Sequence, residues 1–262
     1  MIYESGREPK ILILDLEVSP LLIWAFGEFK TNALAVEQYS FIMCFSYKWL
    51  GDKKVHSVSI TDYAARYKAD PTDDYDVVRE LHRLFNEADI IIAHNLNGFD
   101  YKVALGRMIA HDMKPPAPSA KVDTLNAYRR FTRFSSKALD KLGQQLELGR
   151  KTKAKYGDLW QGFLKQDKKS IQDMVKYCEQ DVLLLEKLYL RIRPYISNHP
   201  NLTVITGMPD HCPKCNSGKM QRQGTRETNT YVYQRYQCQD CGGWGQFRLR
   251  DNDYAVPEFK SI

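Results

Sequence analysis

Asp15 and Glu17 stand two residues apart in the segment ILILDLEV, at the end of an apolar run that begins at Ile11. On a strand this spacing puts both carboxylates on one face, the face of Ile11 and Ile13. Adjacent anions on a largely buried strand repel each other and lose hydration, so they need cations or hydrogen-bond donors to compensate. Taken alone, such a pair also fits a strand end that reaches solvent. Asp100 closes the segment HNLNGFD, just after a second apolar run and in the first turn of the next helix, where the helix dipole favours an ordinary acidic residue. Asp181 lies between Cys178 and Leu185 in the apolar stripe of a long helix, four residues after Tyr177 and on the same face. A satisfied buried aspartate, or a helix turned to solvent, would account for it singly. Together the four acids suggest more. Phosphodiester cleavage by two divalent cations about 3.5 to 4 Å apart needs carboxylates that converge from different elements and leave room for water and phosphate.

A second cluster has closer spacing. Cys212-Pro-Lys-Cys215 and Cys238-Gln-Asp-Cys241 are two C-x-x-C knuckles separated by the 22 residues 216–237. Each can give two thiolates to one tetrahedral Zn²⁺, and a closed four-cysteine site is structural rather than catalytic. The remaining cysteines, Cys44 and Cys178, have apolar neighbours and read as buried thiols. Between and beyond the knuckles, Tyr231, Tyr233, Arg235, Tyr236, Trp244 and Arg248 suit either contact with nucleic acid or a partner, or the small core of the ribbon itself.

These side chains need elements to carry them. Lys10–Val18 reads as a buried central strand. Val36–Trp49 and Lys54–Ile60 read as further strands with a turn at Gly51-Asp52, giving an antiparallel meander. Tyr75–Glu87 has helical spacing, Ile90–Ala93 is another buried strand, and Phe99–His111 is a helix stopped by the proline-rich MKPPAPS. Lys121–Leu125 reads as a short strand and Ser136–Leu148 as a helix. The last helix has Ser170 as its expected N-cap and runs, with Ile171, Met174, Cys178, Leu185, Leu188 and Ile192 as its stripe, to Pro194. Three strands followed by alternating helices and strands predict an α/β fold with a mixed five-stranded sheet flanked by helices.

The chain has 262 residues, enough for one substantial core and a small satellite. Its 43% hydrophobic and 27% charged residues are ordinary for a globular protein and exclude collagen-like or disordered classes. No apolar run approaches the ~18 residues of a membrane span, and no secretory signal is visible, so a cytoplasmic location is expected. The formal charge of +6 and a pI near 8.9 favour a polyanionic partner without requiring one. Two basic runs stand out: Arg150, Lys151, Lys153 and Lys155, and Arg129, Arg130 and Arg133. Each is either a solvated face or a phosphate grip.

The segments ILDLEVSP, IIAHNLNGFD, VDTLNAYRR with SSKALDKLGQQLEL, and YCEQDV occur in the order found in the DEDD superfamily of 3′-to-5′ exonucleases, which the chain resembles over roughly residues 10–193. Where one subclass has H-x4-D this chain has Lys176, whereas Tyr177 fits Y-x3-D, so the chain is similar to the DEDDy group. Over its whole length, ribbon included, it also resembles stand-alone exonucleases of tailed phages known as polymerase exonuclease subunits.

This resemblance implies an RNase H-like (DnaQ-like) fold and two Mg²⁺ or Mn²⁺ ions, with one structural Zn²⁺ in the ribbon. It implies that Asp15 bridges both cations, that Glu17 and Asp181 complete the site that activates water, and that Asp100 supports the second cation. Tyr177 would orient the attacking water, since a phenol with a pKa of ~10 is a poor base at neutral pH. Asp123 would be structural. Trp24 and Phe26 could stack on terminal bases, although packing in the core of a hairpin is the more ordinary role. Lys151, Lys153 and Lys155 could grip the backbone.

The domains expected are an exonuclease at 1–194, a linker at 195–211 and the ribbon at 212–262. The expected activity is hydrolysis at DNA 3′ ends, single strands favoured, in replication or proofreading with a separate DNA polymerase or replication protein. The alternatives are an exoribonuclease and a silent module that only binds nucleic acid or a replication partner.

Overall fold

The computed structural model describes residues 6–29, 32–149 and 156–249. They fall into a larger unit, Lys10–Tyr189, and a smaller one that joins the start of the chain to everything from Leu190 onward.

In the larger unit β1 (Ile11–Val18) is followed by a short hairpin, β2 (Leu22–Trp24) and β3 (Ala35–Gln38), and then by β4 (Ile42–Trp49) and β5 (His56–Ser59). The single strand expected at Val36–Trp49 is thus two strands in different sheets. The break at Tyr39–Phe41 is pinned to the end of β1, where Phe41 N donates to Ser19 Oγ and Ser19 N to Phe41 O. Helices α1 (Ala64–Ala69) and α2 (Tyr75–Glu87) precede β6 (Ile90–Ala93), α3 (Asp100–Ala110) and β7 (Ala120–Asp123). Helices α4 (Thr124–Phe131), α5 (Leu139–Gln145), α6 (Tyr156–Leu164) and α7 (Lys168–Ile192) complete the unit, and the last turn of α7 falls at the division.

The main sheet has the order β5-β4-β1-β6-β7, antiparallel from β1 through β5 and parallel from β1 through β7. This is the expected mixed five-stranded sheet. β1 lies at its centre with a neighbour on each side, so both of its faces need apolar side chains. Leu12, Leu14 and Leu16 enter the principal core with Val77, Leu81 and Leu84 of α2 and Ala104 and Met108 of α3. Ile11 and Ile13 are equally buried on the other face, which also carries Asp15 and Glu17. Each fully buried leucine or isoleucine contributes about 1.5–3 kcal/mol, so β1 is tightly anchored where its carboxylates begin.

A buried polar cluster ties the rear of this unit together. Asp74 has no exposed surface; it accepts from Ile42 N at 2.8 Å, from Arg107 Nε at 2.8 Å and Nη2 at 2.6 Å, and pairs with His111 Nε2 at 2.6 Å. It therefore joins the starts of β4 and α2 to the end of α3. The N-cap of α7 differs from the expectation. Asp167 takes the backbone N–H and the hydroxyl of Ser170, at 2.8 and 2.7 Å, so the helix begins two residues before Ser170. Both residue types cap well, and the earlier carboxylate wins because it meets two donors at once.

In the smaller unit, the stretch after Pro194 holds a further helix, α8 (Leu202–Thr206), with Asn201 as its N-cap. The ribbon follows as a three-stranded antiparallel sheet of order β10-β9-β8, where β8 is Met220–Glu227, β9 is Val232–Cys238 and β10 is Trp244–Arg248. Among the described residues no helix is long and apolar enough to cross a membrane.

Candidate active site

The geometry of β1 explains how its acids reach a common region. Its parallel pairing with β6 covers only Ile11–Ile13, so the backbone beyond is released on that edge. The pairing with β4 shifts register between Glu17 and Val18, and a bulge of this kind re-aims side chains at a strand end. One oxygen of Asp15, one of Glu17 and the thiol sulfur of Cys178 lie within 4.8 Å of one another. Its place in the apolar stripe of α7 marks Cys178 as no more than a buried thiol. In the structure its Sγ lies 3.3 Å from Asp15 O and 3.7 Å from Asp15 Oδ2, and it fastens α7 to β1 beside the acidic pair. Burial, the neighbouring Cys44 thiol and the Asp15 charge all push the Cys178 thiol up, so it stays protonated and donates to Asp15.

Asp100 is the first residue of α3 and is buried. Its carboxylate accepts the backbone N–H of Leu16, the residue between Asp15 and Glu17, which brings the α3 terminus onto the acidic end of β1. Burial, with a further push from Asp123, raises it to about 7, against the pull of the Leu16 N–H and its own. Asp181 is also buried and sits one turn beyond Cys178 on the same side of α7. Asp100 and Asp181 do not belong to the compact trio formed by Asp15, Glu17 and Cys178. Tyr177 is buried with its ring edge-on to Trp160 at 6.3 Å, and Trp160 Nε1 donates to Val18 O at 3.0 Å. Through Trp160, Tyr177 is tied to the same end of β1. No sequence signal singled out Trp160, whose role depends on where α6 packs.

The loop that delivers Asp100 is held by Asp123. This carboxylate accepts from Asn95 N at 3.2 Å and Asn97 N at 3.0 Å, and it caps α4 through Asn126 N at 3.1 Å and Asn126 Nδ2 at 2.9 Å. Asn95 takes a left-handed φ of 78°, and its side chain folds over Gly98, where an added Cβ would fall 2.4 Å from Asn95 Oδ1. A side chain at Gly98 would have to displace the Asn95 amide. His94 is engaged on both ring nitrogens: Nε2 donates to Lys137 O at 2.8 Å, and Nδ1 bonds Thr124 Oγ1 at 2.9 Å.

The other expected contacts fare differently. Trp24 and Phe26 are 63% and 92% exposed, so packing into a hairpin core, the more ordinary role, is overturned. The two-stranded β2–β3 hairpin is too small to enclose them, and Phe29, also 85% exposed, extends the same surface. Lys151, Lys153 and Lys155, with Arg150, lie outside the described residues.

In the smaller unit Cys212, Cys215, Cys238 and Cys241 have their sulfurs within 4.8 Å of one another, with Cys212–Cys241 at 3.7 Å and Cys215–Cys238 at 3.6 Å. The Cys215 thiol beside it pulls Cys212 down to about 5, while Cys215 and Cys241 are pushed up, the first by Cys212 and the second by burial. Four sulfurs this close cannot all ionise without a cation, and the set fits a tetrahedral Zn²⁺. The carboxylates fit a different metal. They are hard oxygen donors, the kind that Mg²⁺ or Mn²⁺ takes.

Comparison with known proteins agrees with this fold. Among solved structures the chain is similar to the family B DNA polymerase of the hyperthermophilic archaeon Pyrobaculum calidifontis, with a TM-score of 0.53 and 17% identity. The match covers 88% of this chain and 32% of the polymerase, so the chain spans about a third of that protein's length. No curated protein matches it. Residues 31–193 match the model of RNase_H_2, a family of the RNase_H superfamily. That match takes in Asp100, Tyr177 and Asp181 and starts after Asp15 and Glu17. With more than half of its length matched, the chain belongs to the RNase H superfamily.

Proposed function

We propose that this protein is a metal-dependent 3′-to-5′ exonuclease of the DEDDy type that hydrolyses phosphodiester bonds at DNA 3′ ends, with single strands favoured. The observation that carries the reading is the convergence on one strand end: Asp15 and Glu17 side by side, with Asp100 on the Leu16 N–H between them. Membership of a superfamily made up in general of metal-dependent nucleases supports it. Likeness to a DNA polymerase, together with the positive net charge, favours DNA as the polymer. The same reading assigns residues 1–194 to the catalytic domain and 212–262 to the ribbon, joined by 195–211. It also makes a separate replication protein a partner, in a phage or its host cytoplasm.

In this reading Asp15, Glu17, Asp100 and Asp181 would hold two Mg²⁺ or Mn²⁺ ions. Bound there, such ions lower the pKa of a water and stabilise the leaving 3′ oxygen. The chain's own residues then position the reactants. Cys178 keeps the Asp15 carboxylate in place by donating to it, and Trp160 holds the Tyr177 ring so that its hydroxyl can orient the attacking water. Burial of Asp100 and Asp181 keeps bulk water from competing for the charge.

The test is a time course with Mn²⁺ or Mg²⁺ on 5′-labelled single-stranded DNA, duplex DNA and RNA of one sequence. A ladder that shortens from the 3′ end, fastest on single-stranded DNA and absent in Asp15→Ala, is expected. Degradation of RNA alone would replace DNA by RNA as the substrate. Intact substrate from correctly folded, metal-loaded protein would leave a nucleic-acid-binding module without catalysis.

A further inference from the structure

The two faces of the ribbon sheet differ in kind. β9 is the middle strand, so its alternate residues point to opposite sides and its registers assign the neighbours. One side carries Val232, Gln234, Tyr236 and Cys238, matched by Met220, Arg222, Thr225 and Glu227 on β8 and by Gly245 and Phe247 on β10. At its Cys238 end this side packs against the first knuckle, while Phe247 stays 44% exposed. Gln234 and Cys238 are buried, Tyr236 meets Phe247 edge-on at 5.5 Å, and a Cβ on Gly245 would press against Pro213 at 3.3 Å.

The opposite side carries Tyr233, Arg235 and Gln237, with Tyr231 just before the strand in the same alternation. The registers set Arg248 and Arg226 beside Tyr233, Gln246 beside Arg235, and Trp244 and Gln221 beside Gln237. None of these residues is fully buried. Aromatic rings and guanidinium groups alternate: Arg235 lies 5.6 Å from the Trp244 ring, Arg248 lies 3.5 Å from the Tyr231 ring, and Tyr231 meets Tyr233 edge-on at 6.5 Å. The three strands contain one acidic residue, Glu227, and it pairs with Val232 on the other side. The face thus has rings, cations and amides, and neither carboxylates nor aliphatic side chains.

We propose that this face is a binding site for single-stranded nucleic acid, separate from the carboxylates of the larger unit. Flat exposed rings stack on unpaired bases whatever their sequence, and interleaved guanidinium groups neutralise the phosphates between them. A duplex keeps its base faces stacked inside and offers these rings no partner. A protein docking through apolar contacts would find no aliphatic surface, and the lack of acidic residues matches a polyanion. The site does not depend on the chain cutting what it binds.

The experiment uses the full-length, zinc-loaded protein without added Mg²⁺ or Mn²⁺. Fluorescence anisotropy measures its affinity for a labelled oligo-dT, an oligo-rU and a duplex of equal length. Single strands of either sugar should bind more tightly than duplex, and the dT-to-rU ratio then assigns the polymer. Trp244→Ala and Tyr233→Ala should each weaken single-strand binding about tenfold. Trp244→Phe should restore most of the loss. Arg235→Gln combined with Arg248→Gln should lower the slope of log affinity against log salt by about 1.4, some 0.7 for each charge. Phe247→Leu, on the opposite side of the sheet, should leave affinity unchanged, and one zinc per chain in every variant shows that the ribbon is intact. Affinity and salt slope unchanged in both the aromatic and the arginine variants would overturn the proposal and leave the face to a protein partner. Equal weakening by Phe247→Leu, with zinc retained, would also overturn it.

Discussion

The carboxylate site and the cysteine site are made in opposite ways. Asp15 and Glu17 stand on a strand anchored in a large apolar core with α2 and α3 and tied to α7 through Cys178, and Asp100 and Asp181 are buried on the helices α3 and α7. The ribbon strands carry few fully buried apolar side chains, and four sulfurs stand where a core would be. On the proposed reading the fold makes the metal site in the larger unit, and the metal makes the fold in the ribbon.

The sharpest way to break this contrast is to remove the zinc. Binding of a structural zinc is worth about 10–16 kcal/mol in small zinc modules. Cys212→Ser, or a strong chelator, should therefore unfold the ribbon while the larger unit keeps its thermal transition, as circular dichroism and calorimetry would show. A ribbon that stays folded without zinc would erase the distinction.

The next largest effect should come from the core side. Asp74→Ala leaves Arg107 and His111 without their buried anion and should cost about 4 kcal/mol in urea unfolding of the larger unit, because one member of a buried charged cluster is lost. Zinc content should not change.

Asp100 gives the comparison a dependence on pH. Its carboxyl is raised to about 7, far above an ordinary aspartate in the unfolded chain near 4. Between roughly pH 4 and 7 the folded state thus holds a proton that the unfolded state has lost, so stability of the metal-free protein falls as pH rises through that window and levels off above it. The fall should be on the order of 4 kcal/mol. Asp100→Asn should flatten it, and saturating Mn²⁺ should reverse its sign, as urea midpoints measured across pH would reveal.

Asp123→Ala should have the smallest effect on stability, about 2 kcal/mol, from loss of the α4 cap and of the bonds to Asn95 and Asn97. Because that loop delivers Asp100, affinity for Mn²⁺ should also fall, by about 10- to 100-fold.

Much of this architecture was legible in the sequence. Tyr75–Glu87 and Ile90–Ala93 have the bounds that their periodicity and apolar run imply, because each is dictated by burial against a single core. The four cysteines were readable because knuckle spacing is local. What could not be read depends on distant segments meeting. The β2–β3 hairpin carries Leu22, Ile23 and Trp24 in the open, and an exposed apolar triplet has the same pattern as a buried one. Cys178 and Trp160 join the site only because α7 and α6 pack on β1, and Asp123 earns its place by reaching back to Asn95 and Asn97. The acids stand out in the sequence because charge in a buried pattern is conspicuous, whereas a thiol or an indole there is not.

Titration of Mn²⁺ into zinc-loaded protein, followed by calorimetry, tests most directly whether the acids form one metal site. The wild-type chain should bind two ions, and Asp15→Asn and Asp181→Asn should each abolish or weaken that binding by at least tenfold while leaving the ribbon's zinc in place. Mn²⁺ binding unchanged in either variant would contradict the account.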